Sequence, residues 1–224
     1  MQAVILAAGL GTRLRPLTYH VPKPMIRVAG KNLIEHNLEK LPQEIDEVIL
    51  VVNYLKEQII NHFGDEFEGR KIKYITQSKP LGTGHALHAC QKILDDRFLV
   101  LMGDDIYHAD DIKKCLQYEN CMLVQEISGS FSGGRIQLTP EGNLNEIIEG
   151  KHKRSSSLVN TGLYVLTSAF FNHELFKAPD KNEYYLPQTM VKMAKDHPIK
   201  IEKATKWIQI SDLAGLKRAE KLLS

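Results

Sequence analysis

Met1-Gln2-Ala3-Val4-Ile5-Leu6-Ala7-Ala8-Gly9-Leu10-Gly11-Thr12-Arg13 starts as a nearly continuous apolar run and passes directly into a loop with two glycines and an arginine; a lysine follows in Pro22-Lys23-Pro24. A short apolar run without alternation reads as a strand buried on both faces, the hallmark of a parallel sheet covered by helices. The glycines beyond it leave backbone N–H groups unobstructed, so successive amides can point at phosphate oxygens. Arg13 and Lys23 add fixed charge. A nucleoside triphosphate carries about four negative charges, and amide dipoles alone do not offset the repulsion that builds when its α-phosphorus is attacked. Two rival phosphate grips are excluded. A dinucleotide fingerprint needs a third glycine where Leu14 stands, and no G-x-x-x-x-G-K-[ST] occurs in the chain. Taken alone, the Gly-x-Gly could also be an ordinary strand-to-loop turn.

Working outward, the first 127 residues alternate strand and helix. The β-branched runs Val48 to Val52, Ile72 to Thr76 and Phe98 to Met102 read as strands. Apolar spacing predicts helices over Asn32 to Leu41, Leu55 to Phe63 and Thr83 to Leu94. The pattern then changes to short strands at Gly133 to Leu138, Asn143 to Glu149 and Leu158 to Thr167, with Lys151 to Ser157 read as a surface loop. Helices over Tyr184 to Lys195 and Leu213 to Leu223 close the chain. The expectation is an α/β fold: a Rossmann-like mixed, mainly parallel sheet flanked by helices, with a small antiparallel excursion, in a single domain over residues 1–224.

Composition narrows the partners. Hydrophobic residues make up 43% and charged residues 25%, with a net charge of +2 and basic residues interleaved with acidic ones, which argues against nucleic acid. No apolar run approaches the length of a membrane span. The N-terminus lacks the basic residues that precede a signal-peptide core, which argues against secretion. Cys90, Cys115 and Cys121 form no C-x-x-C pair, as expected for buried thiols in a reducing cytoplasm. The histidines show no metal-ligand spacing, so zinc is not expected.

The run L-A-A-G-L-G-T-R-L-R-P-L-T followed by P-K-P is similar to the signature of the sugar-1-phosphate nucleotidylyltransferases. The resemblance implies that Ala8, Gly9, Gly11 and Thr12 wrap a triphosphate. It further implies that Arg13 steadies the β- and γ-phosphates and Lys23 neutralises the α-phosphate. Ligands of an open parallel sheet bind beyond the carboxyl ends of its strands, and further segments fall there. Gln77 with Leu81-Gly82-Thr83-Gly84-His85-Ala86 resembles the uracil-binding segment of the uridylyltransferase domain in bifunctional N-acetylglucosamine-1-phosphate enzymes, which suggests that Gln77, Gly82 and Thr83 meet the base. A glutamine amide can present either end to a base, so cytidylyl or guanylyl transfer stays open.

The strand Leu99 to Met102 ends in Gly103-Asp104-Asp105. Carboxylates there suit Mg²⁺, which takes one or two of them and completes its shell with phosphate and water. The family pattern assigns the metal to Asp104 and leaves Asp105 as a helper or cap. Gly134, Glu149, Lys151, Asn160 and Thr161 lie in G-G-R-I, I-I-E-G-K and V-N-T-G-L-Y, which look like the family's sugar-binding motifs, and Asn182 to Leu186 is a candidate wall of that pocket. The chain departs from the family near its end. Trp207-Ile208-Gln209-Ile210-Ser211-Asp212 holds Gln209 and Ser211 where an acid or asparagine commonly gives a second metal ligand. Either Asp212 takes that role through a one-residue shift, or Asp104 and the nucleotide hold the metal and Asp212 caps the last helix.

The resemblance implies transfer of a nucleotidyl group from UTP or dTTP to a sugar 1-phosphate, with release of pyrophosphate. The altered metal motif keeps a second expectation alive, a nucleotide-sugar-binding regulatory subunit of weakened activity. NTP and sugar 1-phosphate are the expected partners, without nucleic acid or membrane, and a homo-oligomer stays open.

Overall fold

The computed structural model describes all residues except Asp180 and Ser224. Strands are β1 (Gln2–Leu6), the short pair β2 (Arg27–Val28) and β3 (Lys31–Asn32), β4 (Glu47–Val52), β5 (Glu66–Phe67), β6 (Arg70–Thr76), β7 (Arg97–Met102) and β8 (Asp105–Tyr107). The second half adds β9 (Cys121–Ser132), β10 (Arg135–Leu138), β11 (Leu144–Ile148), β12 (Lys151–Thr167), β13 (Phe176–Lys177), β14 (Tyr184–Tyr185), β15 (Lys200–Lys203) and β16 (Trp207–Gln209). The helices are α1 (Leu33–Leu38), α2 (Lys56–Phe63), α3 (Thr83–His88), α4 (Ala109–Cys115), α5 (Leu186–Met193) and α6 (Leu213–Leu223).

The main sheet runs β11-β10-β12-β7-β1-β4-β6-β5, with β9 on β12 and β15 on β9. Its centre is parallel: β1 lies between β4 and β7 in unbroken register, and β4 pairs with β6. β12 then enters antiparallel to β7, which makes the sheet mixed, as the sequence pattern anticipates. Side chains alternate across it. Ala3, Ile5, Val48, Leu50, Leu99 and Leu101 face one apolar layer, while Val4, Leu6, Ile49, Val51, Phe98 and Val100 face the other. A third, smaller cluster ties Leu14 and Ile26 to Ile106, Ile208, Ile210 and Ala219, so the end of the glycine loop packs on β8, β16 and α6. All three cysteines are buried and unpaired.

The structure corrects four boundaries. Lys151 to Ser157 is not a loop but the outer half of β12, with Lys151 opposite Ser132 and Arg154 opposite Gly129 on β9. The predicted helix over Thr83 to Leu94 is helical only to His88. Beyond it, Cys90, Gln91 and Ile93 donate to carbonyls three residues back, a tighter winding that still buries Cys90. The helix over Asn32 to Leu41 likewise ends at Leu38 and finishes in i→i−3 turns. The helix predicted from Tyr184 starts at Leu186, because Tyr184 and Tyr185 pair with Lys177 and Phe176 as β14 on β13.

Candidate active site

Two adjoining cavities open at the carboxyl ends of β1, β6 and β7. The larger encloses about 390 Å³ and is lined by Ala8, Gly9, Gly11, Thr12, Gln77, Gly82 and Thr83, so all seven nucleotide candidates face one space. Glu183 and Tyr185 close it from the segment before α5. The smaller, about 260 Å³, is lined by Arg13, Asn160, Thr161, Gly162, Tyr164, Gln209 and Ser211. Lys23, Thr83, Met102 and Asp104 belong to both and form the seam between them.

Local folding sets each group. β1 ends at Leu6, and Ala7 N–H still bonds Val51 O at 2.8 Å, which carries the chain to the sheet's edge before the loop departs. Gly11 has φ +61°, and a Cβ there would lie 2.8 Å from Lys23 Cβ. A side chain would therefore force the lysine away from the loop. Thr18 donates to Gly11 O at 2.8 Å and closes the turn. Lys23 follows Pro22 into a buried turn, and its ammonium pairs with Asp104 at the seam. Arg13, by contrast, is exposed on the rim.

One wall of the larger cavity is built from Gln77, just after β6, and the start of α3. Gln77 is 4% exposed, and its Nε2 donates to Gly82 O at 3.0 Å. Gly82 has φ +89°, and a Cβ on it would sit 2.6 Å from Tyr184 O. Only glycine lets the helix start lie flat against β14. Thr83 Oγ1 accepts from Leu186 N–H at 3.3 Å and pins α3 to α5.

On the other side Asn160 is held by Gly162 N–H to its Oδ1 at 3.0 Å and by the Tyr164 hydroxyl at 2.9 Å. Burial raises the Tyr164 phenol above its ordinary pKa, so it is a neutral donor. Thr161 is buried, and its hydroxyl donates to Leu123 O at 2.7 Å, so its side chain braces the sheet. Gly134 and Glu149 lie behind Asn160 and line neither cavity: Asn160 N–H bonds Gly134 O at 3.1 Å, and Glu149 accepts from Gln188 at 3.1 Å. Lys151 is exposed at the outer end of β12, apart from both linings.

The two aspartates after β7 divide the work. Asp104 lines both cavities, whereas Asp105 touches only the smaller, is buried, and accepts from Trp207 Nε1 at 3.0 Å and Ile210 N–H at 3.2 Å, anchoring β16 against β8. Burial, together with the Asp104 charge, pushes the Asp105 carboxyl up to about 8. Gln209 and Ser211 share the smaller cavity with Asp104. Asp212 lines neither cavity; its Oδ1 accepts from Gly215 N–H at 2.7 Å at the start of α6, as an N-cap does. That bond also holds its carboxyl below the usual range. Among the described residues, no cluster of three His, Cys, Asp or Glu side chains is placed to hold a metal. At the seam itself the carboxylate is Asp104, with Asp105, Gln209 and Ser211 also on the lining of the smaller cavity and the Asp105 oxygens already taken by Trp207 and Ile210. This suits Mg²⁺ completed by phosphate oxygens better than an all-protein cage.

Sequence reasoning passed over Met102 and Tyr164 as parts of the site. Their types carry no chemical signal, and only the fold brings them there.

Comparison with known proteins identifies the family. The chain is 38% identical over 199 residues to the bifunctional protein GlmU of Methanococcus maripaludis, covering 88% of this chain and 47% of that protein. It thus spans about half the length of such relatives. It is 35% identical to the UTP–glucose-1-phosphate uridylyltransferase AglF of Haloferax volcanii, covering 85% of this chain and 82% of that one. It is also 35% identical to the D-glycero-alpha-D-manno-heptose 1-phosphate guanylyltransferase of Campylobacter jejuni, with 86% and 88% covered. A family model described as nucleotidyl transferase matches residues 2–220, the glycine loop and both cavities included, and the chain belongs to that family.

Proposed function

We propose that this protein condenses UTP or dTTP with a sugar 1-phosphate to give a nucleoside-diphosphate sugar and pyrophosphate. The observation that carries the reading is the seam: Lys23 and Asp104 stand together where a cavity lined by the glycine loop and Gln77 meets a cavity lined by Asn160 and Arg13. A nucleotide in the first and a sugar phosphate in the second would bring their phosphates together there. The relative AglF acts with UTP and the Campylobacter relative transfers guanylyl, so family membership alone does not fix the base, and UTP or dTTP rests on the likeness of the segment holding Gln77, Gly82 and Thr83 to a uracil-binding one.

The chemistry needs no protein nucleophile. A phosphate-monoester oxygen of the sugar phosphate attacks the α-phosphorus in line, and pyrophosphate leaves. Lys23 has three ammonium hydrogens, so it can keep Asp104 and still donate to the α-phosphate. The loop amides and Arg13 hold the departing phosphates. Asp104 would hold Mg²⁺ with phosphate oxygens, and that ion supplies charge neutralisation at the phosphates. In this reading Asp212 serves α6 and the metal depends on one carboxylate and the nucleotide. Gly134 then bears on the sugar only through Asn160, whose N–H it accepts, while Glu149 and Lys151 stand outside both linings. Three buried free thiols and the absence, among the described residues, of a helix long and apolar enough to cross a membrane accord with work in the cytoplasm.

The test is pyrophosphate release with Mg²⁺ from UTP, dTTP, CTP, GTP and ATP crossed with a panel of sugar 1-phosphates. Release confined to UTP or dTTP with one sugar class is the expected result. Tight binding of a nucleoside-diphosphate sugar without release from any pair would replace the enzyme by a regulatory binding subunit, with Gln209 and Ser211 as its cause.

A further inference from the structure

Gln77 Nε2 lies 3.0 Å from Gly82 O and 3.1 Å from His85 Nδ1. The carbonyl can only accept, and the ring nitrogen accepts when the imidazole proton sits on Nε2. Turning the amide over would set its oxygen against two acceptors, so the side chain has one allowed orientation. Among the described residues no donor reaches Oε1, and Oε1 is not among the sealed, unpartnered buried atoms. The acceptor end of Gln77 is therefore the end open to the larger cavity. His85 is itself held: its ring stacks on Tyr184 at 6.4 Å and 26°.

We propose that His85 is a positioning residue that fixes Gln77 with its oxygen toward the base, so that the site reads a ring N–H. This rests on the reading that Gln77 meets the base of UTP or dTTP. Uracil and thymine carry a single N–H on their pairing edge, at N3, flanked by two carbonyl acceptors. A fixed acceptor bonds that N–H and repels the carbonyls. Cytosine has an unprotonated, accepting N3, which the locked amide meets oxygen to lone pair. Without His85, one of the two acceptors that hold the amide is gone and only the Gly82 carbonyl opposes its turning its NH₂ toward cytosine.

The experiment compares kcat and KM for UTP and CTP, with one sugar 1-phosphate, in the native protein and in His85→Leu, His85→Phe, His85→Asn and Gln77→Ala. His85→Phe keeps a ring beside Tyr184 without an acceptor, so it stands in if the leucine variant does not fold. The expected result is a higher KM for UTP and a fall of about tenfold in the UTP-to-CTP ratio of kcat/KM for Leu and Phe, the scale of one hydrogen bond, with kcat little changed. His85→Asn, whose amide oxygen can stand near the Nδ1 position, restores the ratio. A lower kcat at an unchanged ratio would make His85 merely structural and overturn the inference. If Gln77→Ala collapses the ratio and His85→Leu does not, the inference falls while the base reading stands. If Gln77→Ala changes neither KM nor the ratio, the base reading itself falls.

Discussion

Lys23 is a buried ammonium whose ion-pair partner, Asp104, is itself open to the cavities. The lysine is thus held in place before any phosphate arrives, and binding adds a partner to a side chain that is already ordered. Lys23→Ala and Arg13→Ala are each expected to lower turnover by roughly two to three orders of magnitude, the scale of losing one charge-stabilising donor, measured as pyrophosphate release at saturating substrates. Near-normal turnover in either would remove that residue from the reaction. Asp104→Asn should abolish Mg²⁺-dependent activity. Asp212→Asn should leave it intact, because asparagine caps a helix as well as aspartate does. A loss of Mg²⁺ dependence in the second variant would return Asp212 to the metal. At this scale the gathering of the glycine loop, Lys23 and Asp104 at one crevice was legible, because the loop and Asp104 follow apolar strands and the family resemblance added Lys23. Asp212 was not, since an N-cap and a ligand look alike in one dimension. Nor were the residues that act through others, such as Tyr164 behind Asn160.

Among the elements, β12 is where pattern and structure part. Its inner half, Leu163 to Leu166, is buried and was legible as a strand; its outer half, Lys-His-Lys-Arg-Ser-Ser-Ser, has neither alternation nor β-branched residues. That half extends because β9 supplies the hydrogen-bonding partner, a contact distant in sequence and invisible to local propensity. α6 is the opposite case, since apolar spacing alone gave Leu213 to Leu223 as observed. α1 depends on its cap: Asn32 Oδ1 accepts from Glu35 N–H at 2.9 Å while Glu35 returns a bond to Asn32 N–H at 2.6 Å, and His62 of α2 joins the carboxylate at 2.8 Å. Asn32→Ala should cost about 1 kcal/mol in chemical denaturation. No loss would mean that packing alone holds this helix. Gly82→Ala should weaken UTP binding and lower stability together, since its Cβ has no room against Tyr184.

For the molecule as a whole, the parallel centre was foreseeable from continuous apolar runs, and the two apolar layers follow from it. The joining of the cavities was not, because it depends on how far β12 carries Asn160 toward β7. If one carboxylate is all the protein offers the metal, Mg²⁺ alone should scarcely raise the melting temperature. UTP with Mg²⁺ should raise it clearly, since a ligand at a hundred times its Kd adds about 2.7 kcal/mol. A large shift with Mg²⁺ alone would mean that a second protein ligand exists. The pairing of β12 with β9 skips between Asn160 and Tyr164. Outside that break lie the ribbon and the hairpin of β10 and β11; inside it β12 runs beside Val100 and Leu99, whose other neighbours are Val4 and Ala3 of the strand that ends at the glycine loop. The break marks what a lineage can vary separately. Mutations accumulating beyond it can reshape the wall of the smaller cavity without disturbing the register that aims the glycine loop, whereas inside it an exchange lies within two strands of that loop.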